Sequence, residues 1–234
     1  MQDGFLRVAA ATPEIRVADP AQNARQILDL LRKAPDGTAL MVFPELCVTG
    51  YTCGDLFLQP ALQRGAEEAV RYLLDNTSDL YTVFAVGLPV PYGSSLLNCA
   101  AVCQGGRLLG LVPKSHLPAY GEFYEPRHFS PGPREPVKVA FAGQETTLGS
   151  DQLFGCSQMP AFLFGVEICE DLWVPVQPPQ RLAAAGALLI LNLSASDESI
   201  GKGAYRRQLV RMQSARLCCA YLYADAGEGE STGD

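Results

Sequence analysis

The chain has 234 residues, 48% of them hydrophobic and 18% charged, which is enough to bury a sizeable core in one domain. A net charge of −7 and a pI near 4.9, with Lys and Arg scattered rather than clustered, argue against a nucleic-acid partner. The longest strongly apolar run, Leu182 to Leu191, falls well short of the ~20 residues that cross a bilayer. It is read as buried core, and no membrane span is expected.

The start, Met1-Gln2-Asp3, carries no basic-then-apolar leader, so a cytoplasmic location and eight reduced cysteines are the expectation. No metal site is expected. There is no C-x-x-C, and neither His116 nor His128 stands at zinc-finger spacing from a cysteine pair.

In chain order, Phe5 to Ala11 reads as a strand and Asp19-Pro20 as a helix start, with Asp as N-cap and Pro in the first turn. Ala24, Ile27, Leu28 and Leu31 then repeat at helical spacing until Pro35-Asp36-Gly37, and Leu40 to Phe43 reads as a buried strand. A second amphipathic helix spans Pro60 to Leu74, where Leu62, Ala66, Ala69, Val70 and Leu73 form one stripe. Thr82 to Val86, Ser95 to Val102 and Leu108 to Val112 are β-rich, and Gly105-Gly106 is placed to turn the last two into a hairpin. Lys114 to Pro136 has no period and reads as a long loop of the functional kind. Further strands are expected at Phe162 to Ile168, Leu188 to Leu193 and Ala220 to Tyr223. Helices at Pro179 to Ala185 and Gly203 to Leu217 separate them, which gives an α/β layered fold.

Three ionisable or nucleophilic residues close buried strands, where a rigid element can aim a side chain into a cleft: Glu45, Lys114 and Cys169. Taken singly, Cys169 reads as packing, Glu45 as a structural carboxylate and Lys114 as a surface lysine. Taken together, they offer a thiol, a carboxyl able to take its proton and an ammonium able to meet an oxyanion.

That order of Glu, Lys and Cys resembles the nitrilase superfamily. Phe43-Pro44-Glu45-Leu46-Cys47-Val48-Thr49-Gly50-Tyr51, Lys114 through Glu125, Gly165-Val166-Glu167-Ile168-Cys169-Glu170-Asp171-Leu172-Trp173 and Asn192-Leu193-Ser194-Ala195-Ser196 are similar to the glutaminase domains of glutamine-dependent NAD synthetases. So are Gly201-Lys202 and Tyr205-Arg206-Arg207.

The resemblance implies a four-layer α-β-β-α sandwich of the nitrilase type. It also implies a fragment that lacks the C-terminal strands expected after Tyr223, its polar tail running Gly227 to Asp234. Its implied activity is hydrolysis of the side-chain amide of L-glutamine through a Cys169 thioester, with Glu45 as base. Lys114 and the Glu170 backbone N–H would stabilise the oxyanion, and Glu122, eight residues after Lys114, would be the second glutamate orienting the lysine or water. Tyr120, Glu170, Trp173 and Ser196 would bind glutamine. No cofactor is implied for this chain, since ATP and nicotinic acid adenine dinucleotide would bind a synthetase domain absent from it. Homo-oligomers are implied. The alternatives are an amidase or carbamoylase acting on another small amide, or a catalytically weak assembly fragment.

Overall fold

Side-chain alternation along the strands decides what each face of each sheet meets. The computed structural model describes residues 5–230. The leader reading at residues 1–3 and the end of the polar tail, 231–234, lie outside them. Strands β1 (Arg7–Ala10), β2 (Thr38–Val42) and the start of β3 (Val83–Tyr92) pair in parallel, joined by helices α1 (Pro20–Arg32) and α2 (Pro60–Asp75). Antiparallel β4 (Ser95–Gln104) and β5 (Arg107–Pro113) follow. The hairpin of β6 (Val137–Phe141) and β7 (Gln144–Leu148) completes a seven-stranded sheet in the order β1-β2-β3-β4-β5-β7-β6. A second sheet of four strands has the order β11-β10-β9-β8, from β8 (Phe154–Cys156), β9 (Met159–Ile168), β10 (Leu189–Leu193) and β11 (Ala220–Ala224). Helices α4 (Pro178–Ala184) and α5 (Lys202–Leu217) are the crossovers between its three parallel strands. A single turn, α3 (Glu125–His128), interrupts the long loop after β5.

Met41, Phe84 and Val86 point away from the second sheet and pack with Ala24, Ile27 and Leu31 of α1 and with Ala66, Val70 and Leu73 of α2. Their alternates Leu40, Val42 and Ala85 point the other way, into a core shared with Val166, Ile168, Leu189, Leu191 and Leu193. Ile190, between two of those leucines, turns outward to Leu182 and Cys219. The result is the expected order of layers, helix, sheet, sheet, helix. Each of these buried aliphatic side chains contributes roughly 1.5–3 kcal/mol, so reversing one strand's register would cost several such terms at once.

Local chemistry matches the sequence where it had a mechanism to read. The Asp19 carboxylate accepts the Gln22 N–H at 3.0 Å, capping α1 behind Pro20. Gly105 and Gly106 both take positive φ, 56° and 76°, as the tight β4–β5 turn requires.

Other expectations need correction. Strand β3 runs six residues beyond Val86 through Pro89 and Pro91. Both prolines are tolerated because β2 pairs β3 only through Ala85, leaving their missing N–H on a free edge. The run Leu182 to Leu191 is not continuous core: Ala184, Ala185 and Gly186 are exposed, and Leu188 is 48% exposed, because a helix end and a turn fall within it. The sequence expectations assigned nothing to β6, β7 or β8: the Glu and Thr residues of β7 mask its alternation, β6 is only five residues long, and β8, Phe154-Gly155-Cys156, is too short to show a period.

One glycine fixes the position of the Glu45 segment. A Cβ on Gly87 would lie 2.2 Å from the Leu46 N, 2.7 Å from the Glu45 C and 2.7 Å from the Pro44 O, all of them backbone atoms that cannot swing aside. Gly87→Ala is therefore expected to cost about 3 kcal/mol, seen as a lower midpoint at an unchanged slope in urea unfolding.

Candidate active site

Three strand ends drawn from both sheets converge on one buried ammonium. Lys114, immediately after β5, is 1% exposed, and its Nζ donates to Glu45 Oε1 at 2.7 Å and to Glu125 Oε1 at 2.5 Å. Lys114 is thus core rather than surface. Burial alone would lower its pKa, but Glu45 and Glu125 outweigh burial and hold the amine charged.

Glu45 follows β2 and is 1% exposed. Besides Lys114, its Oε1 accepts Asn98 Nδ2 at 2.6 Å and its Oε2 accepts the Ala195 N–H at 3.1 Å. The Glu45 N–H itself donates to the Ser194 carbonyl at 3.3 Å, which ties the end of β2 to the end of β10 across the two sheets. Asn98, in mid-β4, belongs to the site although no motif marks it.

Cys169 ends β9 with φ at 43°, in the left-handed region that costs a non-glycine residue roughly 1–2 kcal/mol. This turn starts a short 3-10 helix, Cys169–Leu172. The thiol is buried and lies within the electrostatic reach of Glu45 and Lys114, near Ser194 and the Ala195 backbone. Burial first and Glu45 second push its pKa above the ordinary thiol value, with Lys114 opposing them. At neutral pH the resting group is a thiol held near a carboxyl side chain, not a preformed thiolate.

Residues 7–229 match the carbon-nitrogen hydrolase family. The chain belongs to that family. Over all 234 residues it is 46% identical to the glutamine-dependent NAD(+) synthetase of Mycobacterium tuberculosis, of which it covers 34%. It is 32% identical to the enzyme of the same name from Thermotoga maritima over 227 residues, 96% of this chain and 36% of that one. It therefore spans about a third of the length of the curated relatives it matches. The crystal structure of a glutamine-dependent NAD(+) synthetase from Cytophaga hutchinsonii superposes on 95% of the chain, and 36% of its own, with a TM-score of 0.83 at 30% identity. An amidase from Nesterenkonia sp. shares the fold, with a TM-score of 0.73 at 22% identity, covering 98% of this chain and 80% of its own.

Within this family member, the residue meeting Lys114 is not the glutamate expected from spacing. Glu122 is exposed, and the second carboxylate on Lys114 is Glu125, three residues later. The tyrosine- and proline-rich loop folds into α3 there, which turns Glu125 inward to 3% exposure, where Tyr51 donates its hydroxyl to Glu125 Oε1 at 2.8 Å. Glu125 Oε2 has no partner among the described residues. Burial, only partly offset by Lys114, raises Glu125 to about 7. A proton on Oε2 would leave one ammonium facing one full carboxylate charge rather than two.

The four expected substrate contacts lie around the same strand ends. Tyr120 donates its hydroxyl to Glu170 Oε2 at 2.8 Å, immediately after Cys169 in sequence. Trp173 stacks obliquely on Tyr205, with ring centroids 5.7 Å apart, and the Lys202 ammonium stands 5.7 Å from the Trp173 ring and 5.8 Å from that of Phe123. The Ser196 N–H donates to Asp225 Oδ1 at 2.9 Å. Phe123, Lys202 and Tyr205 thus join the aromatic rim without having been assigned from sequence. Among the described residues, no group of three His, Cys, Asp or Glu side chains could hold a metal ion, and no helix is long and apolar enough to cross a membrane.

The raised Glu125 has a consequence for stability. Between about pH 4.5 and about 7 the folded chain keeps a proton that the unfolded chain has already released, so its contribution to stability falls as pH rises through that window. Glu125→Gln keeps a carbonyl acceptor but cannot titrate. It is expected to flatten this part of the pH dependence, measured by urea unfolding at half-unit steps from pH 5 to pH 8.

Proposed function

We propose that this chain hydrolyses the side-chain amide of L-glutamine to glutamate and ammonia through a thioester on Cys169. The observation that carries the reading is the Lys114 ammonium held 2.7 Å from Glu45 and 2.5 Å from Glu125 beside the Cys169 thiol. Similarity to synthetases whose names specify glutamine dependence supports glutamine as the amide.

In this mechanism Glu45 takes the Sγ proton as sulfur bonds to the carboxamide carbon. Coupling the two events matters, because burial disfavours a free thiolate. The carbonyl oxygen gains negative charge and meets the Lys114 ammonium together with the backbone N–H of Glu170. Such preorganised donors typically supply a factor of about 10² to 10³ each. Collapse breaks the carbon–nitrogen bond, and Glu45 returns its proton to the departing nitrogen, which leaves as ammonia. Glu45 then takes a proton from water, the oxygen bonds to the thioester carbon, and the carbon–sulfur bond breaks. The sulfur recovers the proton, releasing glutamate. Tyr120, Glu170, Trp173 and Ser196 are the groups proposed to hold the amino-acid end of the substrate.

The curated relatives are about three times as long as the match to this chain, which supports a wider role. In that role the ammonia passes to a synthetase domain that binds ATP and nicotinic acid adenine dinucleotide.

Glutamate release is expected from the wild-type chain and not from Cys169→Ala, and Glu45→Gln is expected to lower kcat by about 10² to 10⁴. An electrophilic glutamine analogue should place its adduct on Cys169 in peptide mass spectrometry. An adduct on Cys47, Cys53 or Cys218 would overturn the assignment, and faster turnover of aliphatic amides with no glutaminase activity would move the substrate to another small amide.

A further inference from the structure

The active-site ammonium and the nucleophilic thiol come from different sheets, so something must fix their separation. Lys114 ends β5 of the larger sheet, and Cys169 ends β9 of the smaller one. The buried carboxylate of Asp171, 1% exposed, touches both strand ends. Its Oδ2 accepts the N–H of Ser115, the residue after Lys114, at 3.2 Å, and the N–H of Ile168, the residue before Cys169, at 3.3 Å. Its Oδ1 accepts the His116 N–H at 2.9 Å and lies 2.8 Å from His116 Nδ1.

Capping of the short 3-10 helix accounts for the Ile168 contact, since Asp171 is the third residue of that helix and reaches back over one turn. It does not account for the other contacts, which come from a segment more than fifty residues away in sequence. One oxygen atom is shared by the neighbours of both reacting side chains. Backbone amides cannot rotate away as side chains can, so this contact sets a distance, and an error of about 1 Å in such a distance can cost 10²-fold in rate.

We propose that Asp171 is a positioning residue that holds the Lys114 ammonium at the place where the oxyanion forms on the carbon attacked by Cys169. The inference rests on the reading of Cys169 as nucleophile and Lys114 as oxyanion partner. Asp171 does not touch the reacting atoms and acts through the two strand ends.

The test separates the two chemistries of the site. Alkylation of Cys169 by iodoacetamide needs the thiol and its base but forms no oxyanion on an acyl carbon. Glutamine hydrolysis needs the ammonium in register. Asp171→Asn keeps the size of the group, but with its oxygen toward His116 it turns an NH₂ donor toward the Ser115 and Ile168 donors. Ser115→Pro removes the N–H from the β5 side, while also fixing φ at that position and restricting Lys114 to extended backbone, and leaves the helix cap intact. In the full chain, Asp171→Asn is expected to lower kcat for glutamine by about 30- to 100-fold. KM and the rate of Cys169 alkylation, followed by mass spectrometry, should stay within about threefold. Ser115→Pro should show the same split at about tenfold.

Alkylation falling in parallel with hydrolysis would make Asp171 a residue of general stability and overturn the proposal. So would unchanged hydrolysis in folded Asp171→Asn, or in folded Ser115→Pro if Asp171→Asn does not fold. A wild-type chain whose Cys169 resists alkylation while glutamine is still hydrolysed would instead overturn the nucleophile assignment beneath it.

Discussion

The structure depends on keeping a lysine charged where almost no water reaches it. An isolated ammonium in such a place would lose its proton, because desolvation penalises the charged form by several kcal/mol. Lys114 escapes this through Glu45 and Glu125, each within 2.7 Å of its Nζ. The arrangement is stable only while all three members are present, since removing one partner of a buried pair typically costs about 3–5 kcal/mol. The surroundings accordingly contribute further bonds: Asn98 and the Ala195 N–H on Glu45, and Tyr51 on Glu125. Each brings a different segment of the chain to the same few atoms. The charged centre is therefore also the point where the two sheets are joined.

That joining constrains backbone as well as side chains. Gly87 lets β3 press against the Pro44–Glu45–Leu46 backbone, and the Glu45 N–H reaches across to the end of β10. Cys169 adopts a left-handed conformation without the freedom of glycine. Strain of this kind persists when the surroundings over-determine it, and here β9 on one side and the carboxylate of Asp171 on the other leave the turn little room to relax. A packed sandwich core is poorly suited to holding polar groups, yet it is rigid. The polar cluster gains accurate placement from the same close packing that makes its charges costly.

Much of this was legible in the sequence, and the parts that were not share a cause. Alternation and helical spacing give the layered core, because a strand such as β2 must send Leu40 and Val42 one way and Met41 the other. Strand-end positions of Glu45, Lys114 and Cys169 are local facts, readable from the apolar runs before them. Glu125 was missed in favour of Glu122 because both stand in a loop without a period, and only the turn of α3 decides which carboxyl faces inward. Asn98 and Asp171 were missed for a related reason: their partners lie more than fifty residues away, and spacing carries no trace of such contacts. The strands β6 and β7 escaped because they are short and, in β7, polar residues dilute the alternation at the margin of the larger sheet, and β8 because three residues, Phe154-Gly155-Cys156, carry no period.

The charge states describe a buried site whose charges are balanced at rest. Burial and Glu45 hold the Cys169 thiol protonated, Lys114 is saturated by carboxylates, and Glu125 sits near the midpoint of its titration around neutrality. No member carries an unmatched charge at rest. In the proposed mechanism an amide carbonyl changes the balance only as it reacts, because the oxyanion it develops would be the new partner of Lys114 while Glu45 would gain the thiol's proton and become neutral. In that mechanism the negative charge would move from carboxylate to oxyanion around a stationary ammonium, so little reorganisation would be needed at the moment of bond formation. A surface lysine would have to be desolvated and oriented during that step. Lys114 has already been desolvated and oriented by folding.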